Sequence, residues 1–171
     1  MGATSPKRYG SRVTDQHDHT TQDQGGPVAA AATKEVFFNI ASRGTAQPYN
    51  LLVGANDEWP VSQLNANQEA NFLLHVPNDF TSLTDLVVVM IPDATETIGF
   101  DVNLASGAAG DDFETVTNAI VAGSRAVFLE EITEVDISSV FSGLVAGDYA
   151  GIIFASNTAN ERIVGLRLRY S

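Results

Sequence analysis

Hydrophobic and polar positions divide the chain into a polar start and a body of short apolar runs. The cleanest pattern is "TIGFDVNLA" (97–105), where Ile98, Phe100, Val102 and Leu104 recur at strict period two, as a half-buried strand requires. "EVFFNIA" places Val36, Phe38 and Ile40 on one face. "YNLLVGA" (49–55), "EANFLLHV" (69–76) and "DLVVVMI" (85–91) are short apolar runs between turn-forming residues. "FETVTNAIVAG" (113–123) and "RAVFLEEI" (125–132) read as two further strands. "YAGIIFAS" (149–156) and "ERIVGLRLRYS" (161–171) close the chain, with "NTAN" as a hairpin turn between them. A short helix is expected near Ser138 to Leu144. In the last strand Leu166, Leu168 and Tyr170 alternate with Arg167 and Arg169, so one face is wet and basic or meets an acidic neighbour. Eight or so short strands separated by Gly, Pro and Asn indicate an all-β, jelly-roll-like antiparallel β-sandwich over residues 34–171.

Residues 1–33 have a different texture and read as an extended N-terminal arm or linker. Between Arg12 and Gly26 the only aliphatic side chain is Val13, too little apolar surface to offset the entropy of ordering. Gly25, Gly26 and Pro27 favour extended or turning backbone, and the alanines that follow are too few for a stable helix. The short basic start is followed by no apolar core, so no secretory leader is expected. The run "LVVVMI" (86–91) is too short to span a bilayer, and no membrane partner is expected.

Charge narrows the function. The net charge is −12, and the arm balances Lys7, Arg8 and Arg12 against Asp15, Asp18 and Asp23, so the body carries all of the excess. Nucleic acid is not an expected partner of such a body, because phosphate neutralisation needs clustered Lys and Arg. There is no cysteine, which excludes disulfides and thiolate metal sites.

Candidate chemistry is sparse. No G-x-S-x-G elbow, Walker sequence or dinucleotide fingerprint occurs. His75 lies on an expected strand, and Ser106 lies in "LASGAAG", which reads as a hairpin loop; no enzyme is expected. Asp111, Asp112 and Glu114 in "AGDDFE" are the oxygen ligands a calcium ion would use, against solvated turn carboxylates as the plainer reading. Trp59 stands in the polar stretch "NDEWPVSQLNANQ", where it serves as a sugar platform or partner anchor, or as a lid over one end of the sandwich. Tyr49 is the other candidate aromatic. His17 and His19 at i and i+2 present two imidazoles on one face of an extended backbone. Three copies around a three-fold axis would bring together six, enough for octahedral coordination of a transition metal. Without such an axis they are two histidines in a polar arm, and no cofactor is otherwise expected.

The stretch "HDHTTQDQGG" resembles the H-x-H segments followed by paired glycines near the start of trimeric phage tail-fibre and virion-surface proteins. "GLVAGDYAGIIFASNTANERIVGLRLRYS" resembles the C-terminal strands of small jelly-roll proteins on phage virions, where a "GDY" turn leads into the last hairpin. The resemblance implies a homotrimer with His17 and His19 as metal ligands on its axis, located on the capsid or tail surface of a virion. Fibre proteins carry repetitive shafts and nothing here repeats, so a compact bacteriophage capsid decoration or cement protein is the expectation. Its arm, with Arg8, Arg12, Gly25, Gly26 and Pro27, would dock on a shell protein, and Trp59 would touch a partner. A receptor- or carbohydrate-binding module of a fibre and a small shell or tail subunit are the alternatives.

Overall fold

The computed structural model describes residues 32–43, 49–55, 58–112, 117–158 and 160–171. Eleven strands follow in order: β1 (Lys34–Phe38), β2 (Ile40–Arg43), β3 (Tyr49–Val53), β4 (Trp59–Leu64), β5 (Gln68–His75), β6 (Leu83–Ile91), β7 (Glu96–Gly107), β8 (Thr117–Val127), β9 (Thr133–Asp136), β10 (Tyr149–Ser156) and β11 (Glu161–Tyr170). They form two antiparallel sheets. One runs β3-β4-β11-β6-β9, with β1 also paired to β11; the other runs β2-β5-β10-β7-β8. From β4 to β11 the chain alternates between sheets at every step except the β7–β8 hairpin. The orders β4-β11-β6-β9 and β5-β10-β7-β8 are those of a jelly roll, a double Greek key closed into a sandwich. Among the described residues no helix is long and apolar enough to cross a membrane.

Alternation builds the core. On β7, Ile98, Phe100, Val102 and Leu104 point inward, and on β10, Ala150, Ile152 and Phe154 do the same. Phe100 and Phe154 stack at 5.4 Å between centroids. The continuous run on β6 is buried on both faces. Leu86, Val88 and Met90 enter the core, while Val87, Val89 and Ile91 lie on the outer face. Ladder partners on that outer face include Arg167 and Arg162, whose long stems shield apolar surface.

Several expected elements take another form. "EVFFNIA" breaks at Asn39, so that β1 joins one sheet and β2 the other. "NTAN" is a crossover rather than a hairpin, since β10 and β11 belong to different sheets. It is held by Asn157 N donating to Gly99 O at 2.9 Å and by Gln63 Nε2 donating to Asn160 Oδ1 at 2.9 Å. The expected strand 125–132 is the end of β8 followed by a loop. There the Leu129 amide donates to Thr95 Oγ1 and the Glu130 amide to Pro92 O, which leaves neither for a ladder. The expected helix is a single 3₁₀ turn, Ser138–Phe141, because Ser142 is extended and Gly143 is left-handed. Its Val140 and Phe141 plug one end of the core.

Arg167 and Arg169 find their counter-charges within their own sheet. Arg167 forks onto Glu134 of β9 at 2.5 and 2.7 Å and approaches Asp85 of β6 at 3.6 Å; Arg169 pairs with the same Asp85. That face is a neutralised cross-strand ladder, not a basic surface awaiting a partner. Gly165 is where β1 crosses close to β11. A Cβ there would run into the Phe37 ring and stand 2.7 Å from the Phe38 carbonyl oxygen.

Candidate functional site

Arg8, Arg12, His17, His19, Gly25, Gly26 and Pro27 lie outside the described residues, as does Glu114. The described chain leaves the arm at Lys34, and that point is clamped. Lys34 Nζ bonds Asp79 at 2.6 Å, the Tyr170 hydroxyl donates to Asp79 Oδ1 at 3.0 Å, and the ammonium sits 5.8 Å from the Tyr170 ring centroid. The hydrogen bond from Lys34 holds the Asp79 carboxyl below its ordinary range.

Asp111 Oδ2 accepts from the Ala108 amide at 2.7 Å, which closes the turn after β7. Asp93, between β6 and β7, is committed to Arg162. Among the described residues no three His, Asp or Glu side chains are grouped to hold a metal ion. Ser106 is a strand residue of β7 rather than part of a loop. His75 ends β5 on the outside of the sheet, its ring 4.8 Å from that of Tyr149.

Tyr149 belongs to a surface feature that the sequence did not single out. The "GDY" turn delivers it: Gly147 adopts φ +86°, the Val145 amide donates to Asp148 Oδ2 at 3.0 Å, and the Val76 amide donates to Asp148 O at 2.8 Å. Three cross-strand rows then follow on the outer face of the second sheet. They are Gly107–Tyr149–His75, Ala105–Gly151–Leu73 and Asn103–Ile153–Asn71. None contains a carboxylate; the next row, Asp101–Ala155–Glu69, marks the boundary. Leu73 is 62% exposed and Tyr149 50%, and they stand beside the small floor of Gly151 and Ala105, with Asp111 on the same rim. A Cβ on Gly151 would meet nothing within 4 Å. Period-two phase along β5 and β10 puts Leu73 and Tyr149 outward, opposite the buried Leu74 and Ala150.

Trp59 begins β4, paired with Val53 of β3, rather than sitting in a polar loop. It lines a cleft of about 530 Å³ between the β3–β4 turn, the outer face of the first sheet at Ile91 and Arg162, and the β8–β9 loop at Glu130 and Ile132. Tyr49 opens β3, and its side chain lies outside the described part.

Beside Arg162, Glu161 points the other way, into the sandwich. It is fully buried, and among the described residues neither carboxylate oxygen has a hydrogen-bond partner. Burial, then repulsion from Glu96 and Asp93, pushes its carboxyl up to about 7 against the opposing pull of Arg162.

No protein-family model matches this chain, and no curated protein matches it. Among solved structures it is similar to the Drosophila melanogaster CENP-C cupin domain. That alignment covers 69% of this chain and 75% of the other at 12% identity, with a TM-score of 0.17. A second Drosophila melanogaster CENP-C structure aligns over 74% and 87% at 14% identity, with a TM-score of 0.15. At these scores the likeness says nothing about a ligand or partner.

Proposed function

We propose that this chain is a bacteriophage virion structural protein, a capsid decoration or cement protein that assembles as a homotrimer. Its arm, residues 1–33, docks on neighbouring shell subunits and holds them together. The observation that carries the reading is the strip around Leu73, Gly151 and Tyr149, whose three strand rows hold no carboxylate and which Asp111 borders at one end. Copies of a chain with a net charge of −12 repel one another, so they associate best where no carboxylate faces another. The strip offers such a face, with exposed apolar side chains on a rigid sheet and small residues that allow close approach. Lys34, held by Asp79 and Tyr170, belongs to the sandwich, which supports reading residues 1–33 as an arm with a separate task. Several arms held on one trimer would bind a shell with gain from multivalency. The resemblance of "HDHTTQDQGG" to virion-surface arms supports the virion location and the axial role of His17 and His19.

Multi-angle light scattering on the full chain and on residues 34–171 tests this. A trimer in both supports an interface formed by the sandwich. A monomer in both withdraws the strip as a self-association face. Closed particles or tubes would favour the small shell or tail subunit instead.

A further inference from the structure

We propose that the Trp59 cleft is a binding site for a neutral pyranose sugar. This goes beyond the assembly reading and does not depend on it, since the cleft and the Leu73–Tyr149 strip belong to different sheets. The cleft is built from four separate segments, and its volume of about 530 Å³ lies within the usual range of small-molecule sites. Trp59 is 40% exposed and Ile132 57% exposed, although each is a large apolar side chain facing a concavity. A tryptophan ring presented in this way suits the apolar C–H face of a sugar ring.

Polar groups beside this platform supply complementary hydrogen bonding. Glu130 is exposed and forms no ion pair among the described residues, so its carboxylate is available to accept from vicinal hydroxyls. Its backbone is held at φ +60°, an uncommon conformation for a residue with a side chain, and its amide is fixed to Pro92 O at 2.9 Å. Arg162 lines the same cleft with its guanidinium anchored on Asp93. The combination is one apolar platform and one acceptor carboxylate beside an ion pair that is already made. Charge selects among sugars. Arg162 is already neutralised by Asp93 and the chain is strongly acidic, so uronic and sialic acids are disfavoured and neutral hexoses or N-acetylhexosamines fit.

Trp59 is the sole tryptophan, so intrinsic fluorescence of the full chain reports on this cleft alone. The probes are D-glucose, D-galactose, D-mannose, N-acetyl-D-glucosamine and their disaccharides, with D-glucuronate and a neutral tripeptide as comparisons. At least one neutral sugar should give a saturable change, with a Kd of about millimolar for so small a ligand. Glu130→Gln keeps the tryptophan and the surface character of the loop, and should weaken that affinity roughly tenfold or more. Trp59→Ala, followed by calorimetry at unchanged far-UV circular dichroism, should abolish binding. The proposal is overturned by no saturable response to any neutral sugar up to about 100 mM. A response that Glu130→Gln leaves intact, or one confined to the tripeptide or glucuronate, overturns it equally.

Discussion

Replacing Glu161 with glutamine should change the pH dependence of stability in a way few other substitutions can. The carboxyl is fully buried with both oxygens unpartnered among the described residues, and it feels the charges of Glu96 from the start of β7, Asp93 from the β6–β7 loop and Arg162 next to it in sequence. Burial raises it from an ordinary 4.5 to about 7. Between those values the native state holds a proton that the unfolded chain has lost, so stability falls as pH rises through the window. Below about 4.5 the penalty is absent; above about 7 it is complete. The shift corresponds to roughly 3 kcal/mol. Glutamine keeps the shape and carries no charge. Glu161→Gln should therefore match the parent at pH 4 and exceed its unfolding free energy by about 3 kcal/mol at pH 8. Urea unfolding of both proteins across this range measures the difference, and the many surface carboxylates cancel between them. A difference that is constant with pH would refute the reasoning, because the carboxyl would then not titrate in this window. Destabilisation by glutamine at pH 8 would show instead that the carboxylate has a cationic partner.

Gly165→Ala should cost about 1–3 kcal/mol in chemical denaturation, since the new methyl must displace the Phe37 ring or the β1 backbone. Phe154→Ala removes a fully buried ring that stacks on Phe100 and should cost about 3–5 kcal/mol in the same assay. Asp85→Asn takes the shared counter-charge from Arg167 and Arg169, whose side chains are 15% and 40% exposed. It should lower stability by about 1–2 kcal/mol in low salt, with the loss shrinking in 1 M salt as screening replaces the missing charge.

Strand positions with strict alternation were legible in the sequence. β7 and β10 lie where Ile98–Leu104 and Ile152–Phe154 place them, because period two reports directly which face is buried. β4 was not legible, since Pro60 weakens the strand signal and Ser62 and Gln63 are polar yet buried, their environment set by β3 and β11 on either side. β9 is only four residues long and owes its existence to pairing with β6. Periodicity also cannot say which sheet a strand joins, so the break at Asn39 and the crossover at "NTAN" had no local signature. Glu161 is the instructive case. It shares the inward phase of Ile163, two residues on, so its burial follows from the alternation; its missing partners are visible only once the other sheet is in place. The Trp59 cleft joins segments as far apart as Val53 and Arg162, a juxtaposition that only the folded topology creates.

The most direct test of the assembly account is sedimentation velocity on the full chain and on Leu73→Asp over a dilution series. Leu73 is 62% exposed, so the substitution should leave the fold and its unfolding midpoint intact. It places a carboxylate in the middle of the uncharged strip, opposite its symmetry mates. The account predicts a trimer for the parent and a folded monomer for Leu73→Asp. A parent that sediments as a monomer, or a Leu73→Asp variant that remains a trimer at every concentration, would contradict it.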